Sequence, residues 1–430
     1  MKKYFNSLRA KVQTFRFKKD FFNQNNQGMI FCFVVCSFLL FFGCGQIDSR
    51  FDEQVLQPIR TIEQLESYRA KGLVPKNIER IYCSGGTLRL AVYLGGVELV
   101  IATDGNERIT SDRNGMKAYL AAHPDLAKLP VAGESSGRDQ PELLLALKSP
   151  PQLIIKADTG AGYDPVELTR RTGIPVLLVP MRGITVGREQ FDAGLRLIGA
   201  ALNKTKRAED IIAFFDKEIT ELKQRTTFDN FDKITQDNNQ EKSTNSMLTK
   251  NVETKSSVSV YVGGVSYNGS HGFNSSESGY PPFELVGARS FLGEKKLDPI
   301  LGNRHVMLAK EKILDWNPDK LFLDLGTLAL GDASGLAELK TDAAYRSLDA
   351  VKKGEVYTLL PNTFYFVNHD AVLVNAWFVG KILYPEQFKD IDPKKKADEI
   401  FEFLVGKPVF DKLNNSLQNT ALERLSFDAE

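Results

Sequence analysis

Short apolar runs recur along the chain, separated by stretches with helical spacing. The runs cover residues 97–102, 153–157, 175–179, 258–262, 321–325 and 356–360. Strands that read as continuous apolar runs, alternating with amphipathic helices, are typical of parallel sheets covered by helices on both faces. The sequence therefore predicts an α/β fold.

One sequence unit occurs twice. Residues 143–147 read as a helix that stops before Pro151 and leads into the run before Asp158. Residues 313–316 lead in the same way to Pro318 and to a strand that ends at Asp324. At 430 residues the chain is also long for one ordinary domain. We therefore expect two similar, Rossmann-like α/β lobes.

A connecting helix is predicted between the two copies. Apolar residues recur at helical spacing within residues 204–227, which would form a rigid spine about 33 Å long. Residues 228–256 are rich in Asn, Gln, Lys, Thr and Ser, so we expect a disordered polar insertion there. The two lobes are then residues 75–203 and 257–430.

The amino terminus has the composition of an export signal. Basic residues between Lys2 and Lys19 precede the apolar run 29–42, which is shorter than the roughly 20 residues that span a bilayer as a helix. Gly43 and Cys44 follow, as in the signal of bacterial lipoproteins. We expect a signal peptide at 1–43, lipidation of Cys44 and a tether at 44–74; an uncleaved, tilted membrane anchor is the alternative.

Charge and cysteine content narrow the function classes. The 55 Lys and Arg residues nearly balance the 54 Asp and Glu residues, which argues against nucleic acid as a partner. Cys32 and Cys36 lie within the apolar run, so Cys83 would be the remaining cysteine of the exported body apart from Cys44. No internal disulfide is then expected, and the fold would depend on its apolar core.

A glycine-rich loop, YVGGVSYNGSHGF at 261–273, follows one apolar run. It lacks the lysine and hydroxyl residue of a Walker loop and the glycine register of a dinucleotide fingerprint. Ser266 has a glycine two residues before it but Asn268 two residues after it, which argues against a hydrolase nucleophile.

Metal binding by this loop is also disfavoured. The four histidines, at 123, 271, 305 and 369, form no paired ligand spacing such as HExxH. Loops at the carboxyl ends of parallel strands form ligand crevices. We therefore expect this loop to line a pocket, with Tyr267 and His271 able to contact a ligand.

Four stretches together carry a family resemblance. They are IYCSGGTLRL (81–90) with Leu94-Gly95; AHPDL (122–126) with Leu129-Pro130; GVSY (264–267) through His271-Gly272 to PPF (281–283); and VKKGEVY (351–357) with GKILYP (380–385). In this order they resemble substrate-binding lipoproteins of ABC transporters for iron complexes, which take up ferric siderophores, haem and corrinoids. The resemblance spans residues 75 to 410.

The resemblance implies a ligand held between two lobes, modest closure on binding, and delivery to an ABC permease and its ATPase. It implies no enzymatic activity, no cofactor and no protein metal site. We expect a monomer that is lipid-anchored at the cell membrane on its extracytoplasmic side. The sequence departs from the family pattern at residues 228–256 and at 149–152, where SPPQ replaces a proline-aspartate pair.

Candidate ligand-binding residues fall where the predicted strands end. They are Ser84, Gly85, Gly86, Thr87, Arg138, Asp158 and Tyr163 on one lobe and Ser266, Tyr267, His271, Thr327, Tyr365 and Asn368 on the other. Simpler roles remain open: a tight turn for Gly85 and Gly86, helix capping for Asp158 and Asp324, and core packing for Phe364 and Phe366.

The charge of the ligand is left open by the sequence. Arg89, Arg108 and Arg138 would suit an anionic chelate, whereas Asp104, Glu134 and Asp158 would suit a cationic one.

In the resembling family, carboxylates near a helix start on each lobe bind permease arginines. This implies Glu142, after Pro141, and Glu284, after Pro282-Phe283, as docking residues. The alternative is that both are first-turn glutamates that favour the helix dipole.

Two other classes compete with a transport receptor. A metal-cluster enzyme on the same scaffold needs several cysteine ligands, and Cys83 alone is available. A surface adhesion module would be favoured by repeated Thr-rich modules, which the sequence lacks.

Overall fold

The computed structural model describes residues 57–108, 117–227, 258–292 and 305–427. Within them the predicted α/β class with parallel sheets is confirmed. The predicted signal peptide, Cys44 and the polar segment 228–256 lie outside the described residues.

The strands are β1 (Ile81–Ser84), β2 (Val100–Thr103), β3 (Gly133–Glu134), β4 (Arg138–Asp139), β5 (Leu153–Ala157), β6 (Val176–Val179), β7 (Ser259–Gly263), β8 (Ser275–Glu277), β9 (Arg289–Ser290), β10 (His305–Met307), β11 (Lys320–Asp324), β12 (Val356–Leu359), β13 (Thr363–Phe364), β14 (Phe366–Val367) and β15 (Arg424–Leu425).

The α-helices are α1 (Ile62–Ala70), α2 (Leu88–Tyr93), α3 (Ala118–Ala122), α4 (Pro141–Leu145), α5 (Pro165–Thr172), α6 (Arg188–Ala201), α7 (Thr205–Thr226), α8 (Pro281–Leu285), α9 (Lys310–Trp316), α10 (Gly335–Thr341), α11 (Ala343–Arg346), α12 (Asp349–Lys352), α13 (His369–Leu383), α14 (Pro393–Val405) and α15 (Phe410–Ser416).

The amino-terminal sheet has the strand order β2-β1-β5-β6, and all its strands are parallel. Every residue of β1, β5 and β6 is buried, which explains why β6 is apolar throughout and β5 is apolar except for Lys156, whose Nζ pairs with Asp139. At the free edge of β6, Ile59 makes a parallel bridge with Leu177.

The carboxyl-terminal sheet has the order β15-β12-β11-β7-β9. Its strands are parallel except for β15, which pairs with β12 in the antiparallel sense. All residues of β7 and β12 are buried, as are all but Lys320 in β11. Three short antiparallel ladders, β3/β4, β8/β10 and β13/β14, complete the strand pairings.

In both copies of the duplicated unit, a side-chain oxygen accepts backbone N–H groups at the start of a neighbouring strand. In the first copy, Oε1 of Gln152 accepts the backbone N–H groups of Glu79 (2.8 Å) and Arg80 (3.2 Å), just before β1. In the second, Oδ2 of Asp319 accepts the backbone N–H of Ser259 (2.8 Å), at the start of β7. Each acceptor follows a proline and fixes the beginning of the neighbouring strand. Gln152 therefore does in one lobe what Asp319 does in the other.

The connecting helix α7 runs from Thr205 to Thr226, within one residue of each predicted end. It packs against α6 of the amino-terminal lobe and α13 of the carboxyl-terminal lobe. Its buried Glu218 accepts hydrogen bonds from Nε1 of Trp377 (2.8 Å) and Nζ of Lys396 (2.9 Å to Oε2). A buried carboxylate with two such donors is compensated for its lost hydration, and it fixes the helix to α13 and α14.

The last two helices return to the amino-terminal lobe. Helix α14 packs against α2 and α3, and α15 packs against α3. Lys407 and Lys412 donate to the carbonyl oxygens of Ala122 and Ala121, each at 2.7 Å. Among the described residues, no helix is long and apolar enough to cross a membrane.

Candidate functional site

A cleft of about 600 Å³ lies between the carboxyl ends of the two sheets. On the amino-terminal side it is lined by Ser135, Ser136, Arg138, Asp158, Thr159, Ala161, Met181 and Arg182. On the carboxyl-terminal side it is lined by Val265, Ser266, Tyr267, Asn268, Glu277, His305, Thr363, Tyr365, Phe366, Val367 and His369. This is the position that the crevice rule predicts for ligands of open α/β sheets. Five of the predicted ligand-binding residues are among them: Arg138, Asp158, Ser266, Tyr267 and Tyr365.

The predicted loop at residues 84–87 lies behind the cleft lining. Ser84 and Thr87 are fully buried and bond within their own lobe: Ser84 Oγ donates to the carboxylate of Asp139, and Thr87 Oγ1 donates to the carbonyl of Ile155 (2.8 Å). Gly85 and Gly86 have positive φ angles of 69° and 84°, which supports the tight-turn interpretation. A Cβ on Gly86 would come within 2.5 Å of the Phe366 ring, so the residue also allows close approach of the two lobes.

The other four predicted residues also stand outside the lining. The ring of Tyr163 lies 4.9 Å from the guanidinium of Arg171. The ring of His271 lies 5.2 Å from that of His305, with Thr327 Oγ1 donating to the His271 carbonyl (2.7 Å). Asn368 is buried and its Nδ2 donates to the carbonyl of Pro361 (2.9 Å).

Asp324 has the capping role that the sequence left open. Its carboxylate is fully buried and accepts the backbone N–H groups of Gly326 and Asn362, both at 2.8 Å. Burial raises the pKa of Asp324 to about 8, although the two N–H bonds act in the opposite direction.

The cleft contains two arginines that have no protein partner among the described residues, Arg138 and Arg182. Its two carboxylates are both engaged. Asp158 Oδ2 pairs with Nη1 of Arg60 at 2.9 Å, and Glu277 Oε2 accepts from Nδ2 of Asn362 at 3.2 Å. The cleft therefore offers unbalanced positive charge on its amino-terminal wall.

The other charged candidates stand away from the cleft surface. Asp104 is buried and accepts the backbone N–H of Gly85 (2.6 Å), and burial raises its pKa to about 7. Arg108 and Glu134 do not line the cleft, and Arg89 is buried beneath it.

The opposite wall is aromatic. The ring of Tyr267 stacks on that of His305 at 5.0 Å with an interplanar angle of 14°. Tyr365 and Phe366 lie beside them on the hairpin β13/β14. Burial, together with the nearby His271, lowers the pKa of His305 and favours its neutral form. Flat rings of this kind provide apolar contact area to an aromatic or macrocyclic ligand.

Tyr365 occupies the turn of this hairpin with a positive φ of 64°. A bulky residue rarely adopts this left-handed conformation, and such strain concentrates at functional sites. The backbone N–H of Tyr365 donates to the carbonyl of Tyr267 (3.1 Å), which joins the hairpin to the glycine-rich loop. The strained turn thus presents the Tyr365 side chain to the cleft.

The hairpin is held from below by the other lobe. Arg89 of α2 is 1% exposed, and its Nη1 donates to the Val367 carbonyl and to Oδ1 of Asn368 (3.1 Å). Its guanidinium lies 5.9 Å from the centre of the Phe366 ring. The floor of the cleft is therefore built by both lobes.

Several polar atoms that line the cleft have no hydrogen-bond partner among the described residues. They are Oγ of Ser266 and both ring nitrogens of His369. Burial, with a contribution from the charge of Arg89, lowers the pKa of His369 to about 3, so the ring is neutral. Buried polar groups normally have a partner, so these three atoms are unusual. Within the described residues, no group of three or more His, Cys, Asp and Glu side chains is arranged to hold a metal ion.

Some lining residues were missed by sequence reasoning: Met181, Arg182, Val265, Glu277, His305, Thr363 and His369. The sequence could have indicated Arg182, because it follows the apolar run of β6 and so falls at the carboxyl end of a parallel strand. No sequence feature indicated Glu277 or His305. They reach the cleft through the antiparallel register of β8 and β10, where they lie directly opposite each other.

The proposed docking glutamates occupy matching positions. Glu142 is exposed in the first turn of α4, and Glu284 is half-buried in the first turn of α8; both helices begin with proline. Leu143 and Leu145, beside Glu142, are 43% and 49% exposed. A first-turn carboxylate favours the helix dipole, so this placement agrees with both interpretations of the two residues.

No protein-family model matches the sequence, and no curated protein matches it. Solved structures do match the fold. The molybdate periplasmic binding protein MolA of Haemophilus influenzae, bound to molybdate, aligns with a TM-score of 0.57 and 17% identity over 78% of this chain and 95% of its own.

Two further structures are similar. An ABC transporter solute-binding protein from Sulfurospirillum deleyianum has a TM-score of 0.56 and 17% identity, covering 80% of this chain and 95% of its own. A periplasmic solute-binding protein from Veillonella parvula has a TM-score of 0.54 and 16% identity, covering 80% and 92%. All three are binding proteins. At these identities the likeness shows the fold alone: the chain has the two-lobed fold of the periplasmic solute-binding proteins of ABC transporters.

Proposed function

We propose that the chain is an extracytoplasmic solute receptor of an ABC importer, which binds its ligand between the two lobes and delivers it to a permease. The similar folds are those of solute-binding proteins, two of which belong to ABC transporters. The cleft lies at the carboxyl ends of both sheets, and its volume falls in the range of small-ligand sites. No covalent chemistry is required of the lining residues in this function.

The ligand we propose is an anionic iron chelate with aromatic or flat apolar parts, such as a ferric siderophore. The observation that carries this proposal is the position of Arg138 and Arg182, whose side chains have no partner within residues 57–108, 117–227, 258–292 and 305–427, opposite the wall of Tyr267, Tyr365 and Phe366. Guanidinium groups bind carboxylate or phenolate oxygens with charge-assisted hydrogen bonds. The aromatic wall would cover the apolar part of the chelate.

Isothermal titration with four probes tests the proposal: the ferric complex of 2,3-dihydroxybenzoate, haemin, molybdate and Ni²⁺. The ferric catecholate complex is anionic and aromatic, so we expect it to bind and to raise the melting temperature. The double variant Arg138→Met/Arg182→Met should bind it at least tenfold more weakly, since about 1.4 kcal/mol corresponds to a factor of ten. The control is Lys206→Met, which removes a positive charge from an exposed ion pair on α7.

Other outcomes of the titration would revise the proposal. Tight binding of molybdate alone would keep the receptor function and replace the iron chelate by an oxyanion. Binding of Ni²⁺ alone would contradict the anionic ligand. Binding of none of the four probes, in protein whose folding is verified, would count against the receptor function itself.

We propose that the receptor is lipid-anchored through Cys44 at the extracytoplasmic face and acts as a monomer. The similar folds belong to periplasmic proteins, which supports an extracytoplasmic location. Cys44→Ser should move the protein from the membrane fraction to the soluble fraction or leave its signal uncleaved. Incorporation of labelled lipid that persists in Cys44→Ser would exclude Cys44 as the acceptor.

A further inference from the structure

Asp158 is the acidic side chain that the amino-terminal lobe contributes to the cleft lining among the described residues, and it faces the same space as Arg138 and Arg182. Its Oδ2 lies 2.9 Å from Nη1 of Arg60. The two side chains are 46% and 52% exposed, so this pair is open to solvent and to any ligand at the rim of the cleft.

Arg60 is held at this position by the backbone on either side of it. The N–H of Ile59 donates to the Val176 carbonyl (2.8 Å), and the Ile59 carbonyl accepts the N–H of Leu178 (2.9 Å), so this residue extends the sheet beyond β6. The Ile59 side chain is fully buried. On the other side, Thr61 caps α1 in a complete capping box.

The strand directions place Arg60 and Asp158 at one edge. The bridge between Ile59 and Leu177 of β6 is parallel, so the chain after Ile59 continues towards the carboxyl end of the sheet. Asp158 directly follows β5, and its backbone N–H donates to the carbonyl of Val179, the last residue of β6. Arg60 therefore reaches Asp158 of the cleft lining although it precedes the amino-terminal lobe in sequence.

The charge of Asp158 matters because it lies within the anion-binding wall. A free carboxylate there would repel an anionic chelate held by Arg138 and Arg182, and salt would screen this repulsion because Asp158 is open to solvent. With Arg60 in place, the Asp158 charge is balanced and the wall stays positive.

We propose that Arg60 is a specificity-determining residue of the cleft: it cancels the carboxylate of Asp158 and so allows the Arg138 and Arg182 wall to accept an anionic ligand. This inference rests on the proposed receptor function and its anionic ligand. An alternative role for Arg60 is attachment of the segment before α1, with no effect on the ligand. The two roles predict different behaviour when Asp158 is also changed.

A double-mutant cycle separates them. The probe is the ferric complex of 2,3-dihydroxybenzoate, titrated into the wild type, Arg60→Met, Asp158→Asn and the double variant at low and high salt. Arg60→Met should weaken binding about tenfold at low salt and less at high salt. Asp158→Asn should bind at least as tightly as the wild type, and the double variant should recover to within about threefold of Asp158→Asn.

Two controls accompany the cycle. Lys128→Met breaks an exposed pair with Asp125 and removes the same net charge, and it should leave affinity unchanged. The melting temperatures of all variants should stay close to that of the wild type, because exposed ion pairs contribute little to stability.

The outcomes are distinct. Unchanged affinity in Arg60→Met, or a double variant as weak as Arg60→Met, would overturn this inference while the receptor function stands. A wild type that binds none of the four probes would overturn the proposed function and this inference with it.

Discussion

Nη1 of Arg89 lies 3.1 Å from Oδ1 of Asn368, and this buried hydrogen bond joins the amino-terminal lobe to the segment that forms the floor of the cleft. The same nitrogen donates to the carbonyl of Val367. The two lobes are thus joined directly beneath the cleft.

Replacing Arg89 should therefore be costly. Arg89→Met leaves the part-buried carbonyl of Val367 and the buried amide oxygen of Asn368 without this donor, and an acceptor left unsatisfied in the interior costs about 1–3 kcal/mol. Urea denaturation measures the change in unfolding free energy. Arg196→Met, which breaks an exposed pair with Glu209, should cost less than about 1 kcal/mol. An equally small decrease in unfolding free energy in both variants would show that Arg89 does not hold the two lobes together.

Replacing Tyr365 with glycine should increase the stability of the protein and weaken ligand binding. Tyr365→Gly relieves the left-handed backbone strain at φ 64° and should raise the unfolding free energy by up to about 1 kcal/mol. It should also weaken ligand binding by about 1–3 kcal/mol, because an aromatic contact is lost. The matched control is Gln418→Gly, at an exposed position with φ 59° that does not line the cleft. Binding that survives Tyr365→Gly unchanged would remove Tyr365 from the ligand contacts.

His369 should make the protein sensitive to mild acid. Burial lowers the pKa of His369 to about 3, below the value of about 6.5 in an unfolded chain. Between these values the unfolded state binds the extra proton, so stability is present above about pH 6.5 and is lost as the pH falls towards 3. The slope is up to about 1.4 kcal/mol per pH unit.

The variant His369→Phe lacks this proton and keeps the aromatic contact with Phe191, whose ring centre is 4.5 Å away. Unfolding free energies from pH 7 to 4 should therefore fall less steeply in the variant than in the wild type. Parallel pH profiles would show that His369 does not titrate in this way.

Glu142 and Glu284 should matter for delivery and not for binding. Lysine at both positions should leave affinity for the ferric probe intact while uptake through the reconstituted transporter fails, because their charges would repel the permease arginines that we propose as partners. Reversal of Glu399, an exposed residue of α14, provides the control. Uptake that survives the double reversal would place docking on other residues.

Sequence reasoning located most of the sheet framework because the buried parallel strands are mostly apolar. Residues 153–157 were predicted as a strand and are β5. Strand β1, IYCS, was not among the predicted runs, although all four of its residues are buried. Burial by neighbouring strands overrides composition at such a position.

The site residues were harder to predict, because the sequence does not show which way a side chain points or which residue it contacts. Gly86 was predicted beside the ligand, and it lies instead against Phe366 of the other lobe. The sequence shows that a glycine permits a close approach, but the approaching group is chosen by lobe packing. In the same way, nothing in residues 57–61 indicates that Arg60 extends across the sheet edge to Asp158.

The return of α14 and α15 to the amino-terminal lobe has a consequence for how the protein tolerates cleavage. Residues 121–123 are held by Val405, Lys407 and Lys412 from the far end of the chain. The described residues belong to a single compact unit. A peptide-bond cut between Thr227 and Val258 would therefore yield two fragments that remain assembled without a covalent link. Such a nicked protein should elute as one species under native conditions and separate only in denaturant.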